Sequence, residues 1–144
     1  MLKTLLAIVL LLALFPGSSF AGPTQAETAA KDFQAFWTEF RQAIMANDKE
    51  KVASMTRFPF KTRGTMDSDP VKKRAKESFL NILDKLLHSD PGLSAEPGTM
   101  RQLIERQATV TSKEVTTKSF ARVGDFVFEK VQGKWLFTMA FIDE

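Results

Sequence analysis

The chain has 144 residues, with thirteen phenylalanines, two tryptophans, no tyrosine and no cysteine. Its formal net charge of +3 becomes +2 without Lys3, because nineteen basic residues then face seventeen acidic ones. The missing cysteines exclude disulfides, thiol catalysis and thiolate metal sites, and a nearly neutral charge argues against a nucleic-acid partner.

Residues 1–21 have the layout of a secretory signal peptide. Lys3 supplies a positive charge, and the segment from Leu5 to Phe15 contains no polar residue. Ser19 to Ala21 places small residues at the −3 and −1 positions of a cleavage site. The apolar run is shorter than the roughly 20 residues that span a bilayer, and an uncleaved anchor is the alternative. The sequence therefore predicts export, to the periplasm or the medium, of a single soluble domain formed by residues 22–144.

The first predicted helix has a clear start and a clear apolar face. Thr24 and Glu27 have the spacing of a capping box, so the helix begins there or near Thr28. Apolar side chains then recur every three or four positions as far as about Ala46. They are Phe33, Phe36, Trp37, Phe40 and Ile44.

A short second helix and a strand are predicted next. Asn47 and Glu50 have capping-box spacing, which predicts a helix to about Thr56. Pro59 cannot continue that helix, because proline has no amide hydrogen and pushes the preceding residue toward extended geometry. Since a central strand tolerates proline poorly, the segment from Arg57 to Arg63 is predicted as an edge strand or an extended segment.

Asp69-Pro70 predicts the start of a third helix, with an aspartate N-cap followed by proline at the first helical position. Apolar residues continue at helical spacing to about His88. The segment from Ser89 to Gly98 contains two Pro-Gly pairs and is predicted as a loop. A short helix over Thr99 to Arg106 follows, with Gln102 completing its cap.

The remaining chain changes to an alternating pattern rich in Thr, Val and Phe, which predicts strands. These cover Ala108–Val115, Thr117–Val123, Phe126–Val131 and Lys134–Ile142. The last strand is apolar on both faces and is predicted to be central. One of its faces is expected to carry Trp135, Phe137, Met139 and Phe141. Helices followed by such strands indicate an α+β fold, with the helices packed on one side of a curved, mostly antiparallel sheet.

Three features of this order resemble the nuclear-transport-factor-2-like superfamily of cone-shaped α+β domains. They are the Phe/Trp-rich first helix with Asn47-Asp48, the Phe58-Pro59-Phe60 entry into the sheet, and the closing hairpin with Gly133-Lys134-Trp135. More narrowly, the chain is similar to small bacterial periplasmic members. The resemblance implies a conical sheet whose helix-covered face often forms an apolar cavity. It implies no single activity, because the superfamily contains enzymes, binding proteins and assembly modules.

Aromatic residues of the first helix, the Phe-Pro-Phe segment and the last strand are candidates for lining such a cavity. The predicted ligand-binding residues are Trp37, Phe40, Arg57, Phe58, Phe60, Trp135 and Phe137. The expected ligand is a small hydrophobic or amphipathic molecule. The alternative is that these aromatics fill one another's space as an ordinary core.

Four cations, Lys72, Lys73, Arg74 and Lys76, follow Pro70 in the first two turns of the predicted third helix. The helix dipole disfavours positive charge at that end. The cluster is either a solvated helix face or an anion patch for lipid headgroups, envelope polymer or an acidic partner.

No residue pattern predicts catalysis, a metal or a cofactor. His88, the single histidine, suits the C-terminal end of a helix, and one histidine without cysteine makes no metal shell. Asp125 and Glu129 are interpreted as surface carboxylates, and the phenolic donor of enzymes like ketosteroid isomerase is absent because the chain has no tyrosine.

The sequence therefore predicts an exported, non-catalytic binding domain with a ligand between helices and sheet. A second copy or an envelope protein is expected to contact the open sheet face of this domain. One alternative is an envelope-interaction module with a filled core. The other is an isomerase or dehydratase.

Overall fold

A computed structural model describes Gly17, residues 21–92 and residues 96–144. Apart from Gly17 and Ala21, the predicted signal peptide lies outside the described residues, as do residues 93–95 of the predicted loop. The described residues form an α+β fold, as predicted. The helices are α1 (Gln25–Met45), α2 (Lys49–Ser54), α3 (Lys76–His88) and α4 (Met100–Arg106). The strands are β1 (Thr56–Arg63), β2 (Lys72–Arg74), β3 (Val115–Thr117), β4 (Phe120–Val123), β5 (Phe126–Val131) and β6 (Lys134–Phe141).

Local signals correctly predict where α1 and α4 begin. The Thr24 hydroxyl accepts from the Glu27 amide at 3.2 Å, and the Glu27 carboxylate accepts from the Thr24 amide at 2.8 Å. Thr99 and Gln102 repeat this reciprocal arrangement at 3.3 and 3.0 Å. Each box pairs amide groups that a helix start otherwise leaves without partners.

The predicted cap of α2 is wrong by one residue. Asp48 is the N-cap, and its Oδ1 accepts from the Lys51 amide at 3.0 Å. Asn47 instead takes a left-handed backbone with φ of 55°. Asparagine tolerates this region better than most residues, so Asn47 turns the chain between α1 and α2.

The strands form one mixed sheet in the order β2-β1-β6-β5-β4-β3. The β1–β6 pair is parallel, and the other neighbouring pairs are antiparallel. As predicted, β6 lies inside the sheet. Among the described residues no helix is long and apolar enough to cross a membrane.

The prediction that the Pro59 strand lies at the sheet edge is wrong, because β1 lies between β2 and β6. The pairing of β1 with β6 shifts register between Thr56 and Lys61. Pairing with β2 starts only at Phe60. Pro59 therefore lies in neither ladder, and this break in regular pairing allows proline inside the sheet.

The predicted helix start at Asp69-Pro70 is also wrong. Asp69 closes a turn instead, since its Oδ2 accepts from the Met66 amide at 2.8 Å. The next residues, Lys72–Arg74, form β2 against Phe60–Thr62, and α3 begins only at Lys76. A ladder with a distant segment outweighs a local capping signal worth about 1 kcal/mol.

The two strands predicted between residues 108 and 123 are much shorter in the structure, as β3 and β4. The segment before β3 bonds to α1 instead of to another strand. The Gln34 side chain donates to the Ala108 carbonyl at 3.0 Å and accepts from the Val110 amide at 2.9 Å. Backbone groups satisfied by a helix side chain have no need of a strand partner.

The predicted alternation along β6 breaks at a bulge. Val127 pairs with Met139 but Phe128 pairs with Phe137, so Thr138 is the extra residue. Beyond the bulge Ala140, rather than Met139, belongs to the core. The prediction that Phe137 and Met139 share a face is therefore wrong, because one added residue exchanges the two faces.

The core lies between the helices and one face of the sheet, and Phe137 is at its centre. Its ring centroid lies 4.6 to 6.1 Å from five other rings, those of Phe126, Phe60, Phe128, Phe40 and Phe79. All six side chains are fully buried. Tilted and edge-on ring pairs of this kind add to the stability that burial supplies.

Candidate functional site

The turn between β4 and β5 holds a buried carboxylate. Gly124 takes φ of 56°, which glycine adopts without strain, and Asp125 follows it. The Asp125 amide lies 3.4 Å from Met100 Sδ in α4, and its carbonyl accepts from the Phe141 amide at 2.9 Å. Held by α4 and the end of β6, Asp125 is only 6% exposed.

Two reciprocal arginine contacts hold α4 in this position. Arg41 of α1 donates to the carbonyls of Ile104 at 3.0 Å and Glu105 at 2.6 Å, at the C-terminal end of α4. Arg101 of α4 donates to Asn47 Oδ1 at 2.7 Å, just beyond α1. Cations at helix C-termini also interact favourably with the helix dipole. The wall that buries Asp125 is therefore anchored to the longest helix.

The side chain of Asp125 pairs with one arginine. Arg122 Nη2 lies 3.2 Å from Asp125 Oδ1, and Arg122 Nε donates to the Gly124 carbonyl at 2.8 Å. The guanidinium carbon of Arg122 lies 4.5 Å from the centroid of the Phe141 ring. An arginine held by a carboxylate, a carbonyl and an aromatic face has little freedom left, so the charge pair is rigid.

Burial raises the pKa of Asp125 above its ordinary value. The hydrogen bond and charge of Arg122 oppose that shift, while the negative charges of Asp90 and Asp143 add to it. The charged form is disfavoured both by loss of water and by like charges nearby. A carboxyl group of this kind accepts hydrogen bonds when ionised and donates one when protonated.

Asp125 forms part of the wall of two open grooves that share Thr65, Gly92, Asp125 and Phe141. The Leu103 groove, which also includes Leu103, Gln107 and Arg122, has a volume of about 600 Å³. The His88 groove, which also includes His88 and Lys85, has a volume of about 460 Å³. Both volumes fall in the range of small-molecule sites, about 300 to 1,000 Å³.

The two grooves differ in their charges. The Leu103 groove has three cations and three carboxylates, namely Arg63, Lys113, Arg122, Asp67, Glu114 and Asp125. The His88 groove has Lys85 and His88 against three carboxylates, Asp90, Asp125 and Asp143. In residues 21–92 and 96–144 no group of three histidine, aspartate or glutamate side chains is placed to hold a metal ion. The arrangement suits hydrogen bonding to a ligand that also has apolar contacts.

The predicted ligand-binding aromatics lie in the core. Trp37, Phe40, Phe60 and Phe137 have no exposed surface. They line neither groove, and the space between α1 and the sheet is filled by ring contacts such as Phe40 with Phe137 at 5.3 Å.

The other three predicted ligand-binding residues differ in burial. Trp135 is 6% exposed and donates its indole N–H to Asp32 at 2.9 Å. Phe58 is half-buried against Phe79, with ring centroids 5.5 Å apart, and Arg57 is exposed. None of these residues borders the grooves around Asp125.

The four cations of the predicted anion patch do not act together. Lys72 and Arg74 both contact the Glu144 carboxylate. Lys73 pairs with Lys61 across the β1–β2 ladder, and Lys76 lies 2.7 Å from Glu50. The structure therefore brings two of the four together, and it does so on a strand rather than a helix.

The interpretation of Asp125 as a surface carboxylate is wrong. An aspartate after a glycine between two strands has the composition of an exposed turn. The groups that bury it, Met100 and Phe141, lie far from it in sequence. The short helix predicted over Thr99 to Arg106 supplies Met100, but no local pattern predicts that this helix packs against the turn.

Comparisons with family models, curated proteins and solved structures gave no match to this chain. The resemblance to the nuclear-transport-factor-2-like superfamily therefore stays a prediction from the sequence.

Proposed function

We propose that residues 22–144 form an exported domain that binds a small amphipathic molecule without transforming it. The observation that carries this proposal is the buried carboxylate of Asp125, shared by two grooves of ligand size. The proposed site lies in the grooves around Asp125 and not between α1 and the sheet, because aromatic side chains fill the space there. Export is proposed from the signal-peptide pattern of residues 1–21.

We also propose that the domain is a nuclear-transport-factor-2-like cone. Two observations support this. Helices cover one face of the sheet, and the Phe58-Pro59-Phe60 segment enters the sheet through β1. The cone itself remains part of the proposal, as does the periplasmic address.

The groove surface favours a ligand with an apolar part and several hydrogen-bonding groups. Leu103 and Phe141 supply apolar contact in the Leu103 groove, which Asp125 also lines. Arg63 also lines the Leu103 groove and adds a positively charged donor to it. An arginine side chain offers only donors, so it suits an acceptor on a bound molecule.

Native mass spectrometry of the protein isolated from the cells that produce it tests the proposal. We expect the wild type to retain a noncovalent adduct, and Asp125→Asn to retain less than about a tenth of it, since a hydrogen bond to a charged group contributes about 1.5 to 3 kcal/mol. Glu129→Gln is the matched control, because Glu129 borders neither groove. Equal retention by Asp125→Asn, or no adduct on the wild type, contradicts the proposal.

Contact with a protein through the outer face of the sheet is the second candidate. Met139 is half-buried and lies outside the core cluster, on the outer face of the sheet. Leu136, opposite Glu129, extends this apolar surface. Apolar surface on a sheet face suits a second copy or an envelope protein.

Sedimentation equilibrium tests this second candidate in its second-copy form. Wild type is expected to form dimers that Leu136→Asp dissociates. Lys31→Asp, at an exposed position of α1 on the helix side of the sheet, is expected to leave the dimers intact. A wild type that is monomeric throughout the measured range argues against a second copy on this face.

Proton transfer is the third candidate, and the raised pKa of Asp125 favours it. Asp125 and His88 border the same groove, which places two titratable groups near any molecule bound there. An enzyme of this kind would exchange the α-protons of a small ketone such as cyclohexanone with D₂O. Exchange no faster than that caused by Asp125→Asn would exclude this role for the carboxyl group.

A further inference from the structure

Two cations of β2 meet one carboxylate beyond the end of β6. Residues 72 and 74 lie on the same side of their strand because successive side chains alternate. Arg74 Nη2 donates to Glu144 Oε1, and Lys72 Nζ donates to Glu144 Oε2. Each oxygen of the carboxylate therefore binds a different cation.

The guanidinium of Arg74 is held in place from three directions. Its Nε donates to Thr62 Oγ1 of β1 at 3.0 Å, and its Nη1 lies 3.4 Å from Ser78 Oγ of α3. Its side chain is only 15% exposed. An arginine fixed in this way loses little further freedom when its remaining nitrogen binds an oxyanion.

An open cavity of about 190 Å³ lies beside this contact. Its charged lining consists of Arg63 and Lys72 with the carboxylates of Asp69, Asp143 and Glu144, so replacing Glu144 removes one of the three negative charges. Hydrogen bonding from Lys72, with the charges of Arg74 and Lys85, holds the pKa of Glu144 below its ordinary value. The cations that act on the Glu144 carboxylate therefore lie on α3 as well as on β2.

We propose that Lys72 and Arg74 form a binding site for a phosphate group, for which the Glu144 carboxylate is an internal substitute. Phosphate offers three strong acceptor oxygens, and an arginine with a lysine is a common recognition pair for it. Neither Lys72 nor Arg74 borders the grooves around Asp125, so variants of these two residues test this site separately from the proposed small-molecule function.

Competition with Glu144 determines how the site behaves. A carboxylate attached by a short segment acts at an effective concentration in the millimolar range. An external phosphate group must displace it, so wild-type protein binds phosphate weakly. Removing the charge of Glu144 frees both cations and is expected to tighten phosphate binding about tenfold or more.

Isothermal titration calorimetry with inorganic phosphate at constant ionic strength tests the proposal. Glu144→Gln should bind about tenfold more tightly than wild type, and adding Lys72→Gln to it should return the affinity to the wild-type value or below. Lys72 is a usable position because its side chain is 55% exposed, so its replacement leaves the fold intact. Lys76→Gln in the Glu144→Gln background is the matched control, since Lys76 pairs with Glu50.

Vesicles containing phosphatidic acid, compared with phosphatidylcholine vesicles, distinguish the source of the phosphate. Binding of Glu144→Gln to phosphatidic acid that Lys72→Gln abolishes indicates a lipid headgroup, and binding of inorganic phosphate alone indicates a soluble phosphate ester. Either result supports the site. The proposal is overturned if Glu144→Gln binds neither probe more tightly than wild type, or if Lys72→Gln and Lys76→Gln have equal effects.

Discussion

Arg122 holds the Asp125 carboxylate with a 3.2 Å hydrogen bond, in a turn where burial raises the pKa of the same carboxyl group. The two effects oppose each other, since the arginine favours the charged form and loss of water disfavours it. Burial has the larger effect. Asp125 is therefore a group whose charge destabilises the fold although it is paired.

We expect the stability of Asp125→Asn relative to wild type to depend on pH in one direction. Because the folded-state pKa of Asp125 is raised, wild type loses free energy of unfolding as pH rises from the ordinary value of 3.8 through that raised pKa. Asparagine does not titrate, so the free energy of unfolding of Asp125→Asn rises relative to that of wild type across this pH range. Chemical denaturation between pH 3 and pH 8 measures the difference, and a gain in the opposite direction would refute the assignment.

The pKa values of Asp32 and Glu144 shift in the opposite direction to that of Asp125, so these two groups provide an internal comparison. Hydrogen bonds from Lys130 and Lys72, respectively, lower their pKa values. The stability that these groups contribute is present above the ordinary carboxyl pKa and is lost as pH falls through the lowered one. Asp32→Asn is therefore expected to differ most from wild type at neutral pH, with the difference shrinking in acid.

Gly92→Ala is expected to raise the pKa of Asp125 further. A Cβ at this position would lie 3.4 and 3.5 Å from the two Asp125 carboxylate oxygens, in van der Waals contact, and would remove water from them. Gly133→Ala is the matched control, because φ is similar there, 79° against 71°, and no atom lies within 4 Å of its Cβ. Carbon-13 NMR titration of the side chain reports the pKa, and equal values in both variants would rule out a direct contact.

Phe137→Ala is expected to lower the free energy of unfolding by about 3 to 5 kcal/mol, the range for a large-to-small change at a buried aromatic. Phe137 is fully buried among five rings that cannot close the cavity without moving the sheet against the helices. Met66→Ala is the control, since Met66 is 67% exposed and its loss should change stability by less than about 0.5 kcal/mol. Urea denaturation measures both, and similar values would show that the core is loosely packed.

Trp37→Phe is expected to cost more stability than Trp135→Phe. The Trp37 indole donates to the Gln107 carbonyl at 2.7 Å from a fully buried side chain, so its loss leaves that acceptor without its donor, at about 1 to 3 kcal/mol. The Trp135 indole donates to Asp32, whose carboxylate is 48% exposed and keeps its 2.6 Å contact with Lys130. Thermal or urea denaturation compares the two, and equal losses would contradict the Gln107 contact.

Signals that depend on a few neighbouring residues predicted their elements well. The capping boxes at Thr24 and Thr99 begin α1 and α4, and Gln132-Gly133, with positive φ at both residues, closes the last hairpin. The apolar face of α1 is buried as its spacing indicates. Each of these features is set by backbone hydrogen bonds or periodicity within one segment, so the sequence alone was enough.

Predictions from local signals were wrong where the segment pairs with another strand. Asp69-Pro70 has the composition of a helix start, but the segment after it pairs with β1 as β2. The alternation along β6 predicted two regular faces, but the bulge at Thr138 exchanges them. In both cases the outcome depends on which strand lies alongside, and no local pattern contains that information.

The sequence by itself determined the α+β class and the caps of α1 and α4, because each follows from composition or local spacing. It also predicts the exported address. Only the tertiary structure decided that the aromatics fill their own space, that Asp125 is buried between two grooves, and that Lys72 and Arg74 share Glu144. These three relationships join residues far apart in the chain. Their burial and electrostatics arise only when α4, β2 and β6 are brought together.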